Sequence, residues 1–214
     1  MELFLDSVDL VEIKKYASFI DGVTTNPSLM AEANSDFKDT TSSICIAVHG
    51  DVSIEAASNN LDEMIQEGEK ILSIAPNVVI KLPVTWDGLK ACKFFADKGR
   101  KVNMTLCFSA SQALMAAKAG ASYISPFIGR LDDIGEDGMM LISEIRTIYD
   151  NYQFSTKILA ASVRTPEHVI EAALCGADVA TIPVKILSKL LDHELTTKGL
   201  EKFNQDWANS GMQI

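Results

Sequence analysis

A chain of 214 residues, 47% hydrophobic and 22% charged, has an ordinary globular makeup and is long enough to bury one sizeable core, so one domain over residues 1–214 is expected. The net charge of -10 argues against a nucleic-acid footprint or an anionic membrane surface, both of which need clustered basic residues. An anionic ligand must then be met by local positive charge, which makes the positions of Arg100, Arg130, Arg146 and Arg164 informative.

Cys45, Cys92, Cys107 and Cys175 form no CxxC pair and have no small secreted scaffold to staple, which suits reduced, buried thiols in a cytosol. His49, His168 and His193 lack the spacing of a histidine-built metal site, which therefore has little support, and no cofactor is expected. The first residues, Met1 to Asp6, lack the basic and apolar regions of a signal peptide, and no run approaches the ~18 apolar residues of a membrane span. The expected setting is soluble and cytoplasmic.

In chain order, apolar strand-like runs recur at Leu3 to Leu5, Gly22 to Thr24, Val52 to Ala56, Val78 to Leu82, Val102 to Cys107, Ser122 to Ser125, Lys157 to Ala161 and Asp178 to Ile182. Between them lie stretches of helical spacing, such as Leu10, Ile13 and Tyr16, then Leu61, Ile65 and Leu72, then Leu89, Cys92 and Phe95. Strand and helix alternate throughout. That pattern predicts an α/β protein with a parallel sheet, and this many units without a linker fit a (β/α)8 barrel better than an open sheet. Asn26-Pro-Ser, Thr85-Trp-Asp-Gly, Ser109-Ala-Ser-Gln and Thr165-Pro-Glu put capping residues at the mouths of helices, while Gly99, Gly120 and Gly176 fall just after helices. No GxGxxG or GxxxxGK[ST] is present, which disfavours a dinucleotide site or a P-loop. The final stretch, residues 196–208, carries Leu200, Phe203 and Trp207 on one face and predicts an extra helix that either covers the barrel or contacts another subunit.

In such a barrel the active site forms where the strands end. Those ends carry Asp6, Thr25, Asn26, Glu55, Lys81, Asn103, Thr105, Ser125, Phe127, Ser162 and Arg164. Any one of the polar groups could simply cap a helix, but capping does not explain an Asp, a Glu and a Lys within or at the end of apolar strands. Lys81 sits in Val78-Val-Ile-Lys-Leu82, where an ammonium loses hydration that nothing adjacent in sequence restores. Burial favours the neutral amine, a nucleophile for carbonyl carbon; the simpler reading is a head group that reaches water along its stem. Arg130 and Arg164, with Ser162, would make a phosphate site from late barrel loops, the alternative being salt bridges to Asp132, Asp133, Glu136 or Asp137.

Asp21-Gly-Val-Thr-Thr-Asn-Pro-Ser-Leu29, Val79-Ile-Lys-Leu-Pro-Val-Thr85, Asn103-Met-Thr-Leu-Cys-Phe-Ser109, Ser125-Pro-Phe-Ile-Gly-Arg-Leu-Asp-Asp133 and Leu159-Ala-Ala-Ser-Val-Arg164 resemble the small transaldolases, a group that includes the fructose-6-phosphate aldolases. The similarity runs from Met1 to the Phe203-Asn-Gln-Asp-Trp207 stretch. It implies a (β/α)8 barrel, a Schiff-base lysine, no metal, sugar-phosphate substrates, and a homo-oligomer, a pentamer or decamer built through the C-terminal helix. By the same resemblance Lys81 condenses with the ketose carbonyl, Asp6 takes the proton from the C4 hydroxyl, and Glu55 is an acid/base acting through a water held by Thr105. Thr25, Asn26, Asn103 and Ser125 match the sugar-binding region, and Arg130, Ser162 and Arg164 the phosphate site. In the aldolase branch a tyrosine resembles the position held here by Phe127 and a Gln replaces the carboxylate matched to Glu55. The resemblance thus implies a transaldolase of the pentose phosphate pathway. The alternatives are an aldolase or a sugar-phosphate-binding barrel without turnover.

Overall fold

The computed structural model describes residues 1–33 and 36–213. The parallel strands are β1 (Glu2–Asp6), β2 (Gly22–Thr24), β3 (Asp51–Glu55), β4 (Val78–Pro83), β5 (Val102–Cys107), β6 (Tyr123–Pro126), β7 (Lys157–Ala160) and β8 (Val179–Pro183). They pair in sequence order and β8 closes on β1, giving a (β/α)8 barrel. The eight expected runs fall on these strands to within one residue at either end.

The helices of the first half are α1 (Leu10–Tyr16), α2 (Pro27–Glu32), α3 (Phe37–Ala47), α4 (Leu61–Leu72) and α5 (Trp86–Asp97). Those of the second half are α6 (Ala110–Lys118), α7 (Ile128–Asp133), α8 (Gly138–Tyr152), α9 (Pro166–Leu174), α10 (Val184–Leu187) and α11 (Glu194–Ser210). Asn26, Thr85, Ser109 and Thr165 each accept a backbone N–H at the start of α2, α5, α6 and α9, contacts worth about 1 kcal/mol each. Gly99, Gly120 and Gly176 take φ of 71°, 87° and 85° beyond α5, α6 and α9, the left-handed conformation that lets the chain turn back to the next strand.

The period-two alternation of the strands builds two separate cores. Leu5, Ile54, Ile80, Leu82, Met104 and Ile124 face the helices in the larger one. Phe4, Val79, Tyr123, Leu159 and Val179 make a smaller apolar cluster that fills the barrel axis. Gly22 is required by this plug: a Cβ there would stand 2.7 Å from the Phe4 ring and 2.5 Å from the Asp51 carbonyl oxygen. Toward the strand starts, Tyr123 donates to Asp51 at 2.7 Å, Lys101 pairs with Asp51, and Lys157 pairs with Glu2.

Two residues past the plug on β1, β4, β6 and β8 the side chains turn polar, Asp6 after Phe4, Lys81 after Val79, Ser125 after Tyr123 and Thr181 after Val179, and on β2 Thr24 follows Gly22; on β7 Leu159 is followed by Ala161. The barrel interior therefore changes from oil to chemistry within one pleat. α11 extends the expected terminal helix by two residues at each end and buries none of its residues. Leu200, Phe203 and Trp207 are all exposed on it. Among the described residues no helix is long and apolar enough to cross a membrane.

Candidate active site

A cavity of about 440 Å³ opens at the C-terminal ends of the strands. Asp6, Asn26, Glu55, Lys81, Thr105, Ser125, Phe127, Arg130, Ser162 and Arg164 line it, together with Thr24, Leu106 and Thr181. A groove of equal volume runs between α3 and α4 over Phe37, Ile71 and Ile74; it shares Glu55 with the rim but is flanked by exposed Lys38 and Lys70 rather than by converging buried groups.

Lys81 rises from the middle of β4 with only 6% of its surface exposed. Its partners come from strands distant in sequence: Nζ lies 2.9 Å from Glu55 Oε2 and donates to the Thr25 carbonyl at 2.9 Å. The ion pair follows from strand register, since Glu55 and Lys81 are directly opposed across β3 and β4. The lysine is thus held in place by a proton acceptor rather than simply desolvated.

Asp6 ends β1 on the same floor. Burial pushes its carboxyl above the ordinary value of 3.8, against the opposing pull of Lys81 and a hydrogen bond from Thr24, while Glu55 adds to the upward push. Thr24 Oγ1 donates to Asp6 Oδ1 at 2.9 Å and lies 2.5 Å from Thr181 Oγ1. Sequence carries a signal for Thr181, the apolar Val179 two residues earlier on β8, but none of that kind for Thr24, which follows Gly22.

Thr25 and Asn103 are fully buried and lie beneath the cavity instead of lining it. Thr25 contributes its carbonyl to Lys81 and spends its hydroxyl on the Ser53 carbonyl at 3.0 Å. Asn103 donates to Ser53 Oγ at 3.2 Å and accepts from Ser125 Oγ at 2.7 Å, so these two rim residues are bonded to each other. Asn26 accepts from the Leu29 N–H as the cap of α2 and also faces the cavity. Thr105 Oγ1 differs from all of these: it is buried without a hydrogen-bond partner among the described residues, a donor and acceptor left open at the cavity wall. A register shift between Met104 and Cys107 bulges β5 at this point, and Leu106, at φ 59°, is turned into the cavity beside Thr105.

Basic groups gather on the opposite side. Ser162 takes φ 61° just after β7, an uncommon conformation for a residue with a side chain. Gly129 at the start of α7 packs against that turn, where a Cβ would come within 2.1 Å of the Ser162 carbonyl oxygen and 2.7 Å of Arg164 Cγ. Arg164 pairs with Asp133 at 2.8 Å, both side chains more than half exposed, so the pair is worth less than about 1 kcal/mol. Arg130 makes no ion pair among the described residues; its guanidinium lies 5.0 Å from the centre of the Phe127 ring, which in turn packs edge-on against Phe108. The salt-bridge alternative therefore holds for Arg164 and not for Arg130.

No group of three or more His, Cys, Asp or Glu side chains among the described residues is placed to hold a metal ion. Burial pushes the thiols of Cys45 to about 11 and of Cys92 and Cys107 to about 12, which leaves them protonated and unreactive near neutral pH.

A sequence model of the family described as Transaldolase/Fructose-6-phosphate aldolase matches residues 3–214. The chain belongs to the transaldolase/fructose-6-phosphate aldolase family. Among its relatives are proteins named probable transaldolase from Brucella ovis (58% identical) and Paracoccus denitrificans (53% identical), both over 100% of this chain and 100% of the relative. Another, from Cereibacter sphaeroides, is 54% identical over 100% of this chain and 99% of its own length. The molecule is an enzyme of the transaldolase family, and its barrel rim holds a lysine, two carboxylates and two arginines within one cavity.

For this transaldolase-family enzyme the raised Asp6 sets a sign for stability against pH. Between the ordinary value and the raised one the folded protein binds more protons than the unfolded chain, so the contribution of Asp6 to stability falls as pH rises through that window. Above it, an ionised buried carboxylate opposes folding. Asp6→Asn is expected to raise the urea midpoint at pH 7, with the gain shrinking as pH approaches 3.8; equal midpoints at pH 7 would contradict the burial argument.

Proposed function

We propose that the enzyme is a transaldolase that moves a dihydroxyacetone unit from sedoheptulose 7-phosphate or fructose 6-phosphate to glyceraldehyde 3-phosphate or erythrose 4-phosphate, as in the pentose phosphate pathway. The observation that carries this reading is the buried Lys81 ammonium held 2.9 Å from Glu55 on the floor that also bears Asp6. Glu55 is positioned to take the ammonium proton, freeing the amine to add to the C2 carbonyl of the ketose. Loss of water from the resulting carbinolamine needs that proton back, and the open hydroxyl of Thr105 suits a water relaying it from Glu55. In the iminium ion, Asp6 removes the proton of the C4 hydroxyl. The C3–C4 bond then breaks, its electrons pass into the iminium as an enamine, and the aldehyde leaves. An acceptor aldehyde adds by the reverse path, and water releases the new ketose from Lys81.

Specificity follows from the far side of the cavity. Arg130 and Arg164 offer guanidinium forks to a terminal phosphate, and the exposed Asp133 yields Arg164 at small cost. Phe127 favours transfer over hydrolysis, because a phenyl ring held between Phe108 and Arg130 offers no hydroxyl to order water against the enamine. The uncovered face of α11, with Leu200, Phe203 and Trp207, supports a homo-oligomer, for which the family resemblance implies five or ten copies. A cytoplasmic location fits phosphorylated sugars and reduced thiols.

Borohydride added during turnover with fructose 6-phosphate should trap a stable adduct on the tryptic peptide containing Lys81, and Lys81→Met should abolish it; an unchanged peptide mass in the native enzyme would end the proposal. Transfer should consume fructose 6-phosphate only when erythrose 4-phosphate is present. Consumption without acceptor would mark an aldolase, and no consumption a binding protein. Phe127→Tyr is expected to raise release of free dihydroxyacetone severalfold; no rise would count against the role given to the phenyl ring. Sedimentation of the native enzyme should show an assembly of five or more copies, which a monomeric profile would rule out.

A further inference from the structure

The hydroxyl pair beside Asp6 has its hydrogens determined by counting. A threonine hydroxyl owns a single proton. While Asp6 is ionised, Thr24 Oγ1 spends its proton on Asp6 Oδ1 at 2.9 Å, so the 2.5 Å contact with Thr181 Oγ1 is then a hydrogen bond only if Thr181 is the donor. The chain then runs one way, from Thr181 on β8 through Thr24 on β2 to the carboxylate on β1. Those strands flank β1 on its two sides, and register opposes Asp6 to Thr24 on one and to Pro183 on the other. Thr24 and Thr181 are 2% and 4% exposed and lie in the wall of the cavity.

We propose that Thr181 is a positioning residue for the reaction: by donating to Thr24 it commits the Thr24 hydroxyl to Asp6 and so fixes the orientation of that carboxylate on the cavity floor. The inference rests on the role of Asp6 in the transaldolase reading. A donor that is itself hydrogen-bonded as an acceptor is polarised and donates more strongly, so the effect of Thr181 reaches Asp6 without contact. The same chain tolerates both states of the acid/base, because once Asp6 has taken a proton it can donate to Thr24 and reverse the bond.

The charged groups acting on Asp6 are Lys81 from β4 and Glu55 from β3. Neither neighbouring strand, β2 or β8, carries an ionisable side chain, and Lys185 on the adjoining α10 is exposed. Loss of the Thr181 hydroxyl therefore weakens one of the two influences that favour the carboxylate, the hydrogen bond from Thr24, and leaves the pull of Lys81 in place.

The test is the pH profile of kcat/KM for transfer from fructose 6-phosphate to erythrose 4-phosphate. Thr181→Val keeps the shape and removes the donor. Its acidic limb is expected to move to higher pH and its plateau kcat/KM to fall about fivefold, the order of one neutral hydrogen bond lost in the transition state. Thr181→Ser, which restores the donor, should return the profile to its native position. Borohydride trapping on Lys81 should be retained in Thr181→Val, because imine formation does not require Asp6. If Thr181→Val fails to fold, Thr181→Cys, with its weak S–H donor, gives the same readout. A native profile in the folded Val or Cys variant overturns the proposal, as does a shifted profile in Thr181→Ser. Absence of an adduct in the native enzyme would instead refute the underlying reaction, so the two failures are told apart.

Discussion

The ion pair between Lys81 and Glu55 is the constraint around which the rim is arranged. Both side chains are largely withdrawn from water, so removing either would strand the other at a cost of about 3–5 kcal/mol. The pair exists because β3 and β4 are in a register that sets the two residues side by side, and because the Thr25 carbonyl from the end of β2 accepts a second ammonium proton. Three strands are therefore committed to one head group. A buried ammonium held in this way has a proton acceptor within reach that is not solvent.

The remainder of the rim shows the barrel giving up stability for readiness. Leu106 and Ser162 are held at positive φ, a cost of roughly 1–2 kcal/mol each, and both line the cavity. Thr105 keeps a buried hydroxyl without a partner among the described residues, and Asp6 is buried against its preference for water. The opposite mouth behaves differently, with Asp51, Tyr123, Lys101, Lys157 and Glu2 tied into pairs. One end of the barrel is paired off and the other is left poised.

Much of this was readable in the chain because hydrophobic runs and capping residues obey local rules. The strands, the caps at Asn26, Thr85, Ser109 and Thr165, and the extra terminal helix all follow from residues close in sequence. α3 is hard to read for a physical reason: its inward face is Thr40, Thr41, Ile44 and Cys45, half of it hydroxyls, so no clean apolar stripe marks it. Facts that depend on register were out of reach as well. Sequence placed Lys81 on a buried strand but not Glu55 beside it, and it could not tell that Thr24 rather than Thr25 offers its hydroxyl to the cavity. Nor could it assign Asp133 to Arg164 instead of Arg130, a choice made by the packing of α7 on the turn at Ser162.

Strand register also limits how the chain can change over time. One residue inserted within β3 would swing Glu55 into the helix layer and bring an apolar neighbour to face Lys81, because successive side chains point to opposite sides of the wall. Length variation of that kind is lethal to the site, whereas the connections above the rim can grow or shrink without disturbing the pairing below. Divergence in such a barrel is channelled into its loops, and the lengths of its strands become the most slowly varying part of the molecule.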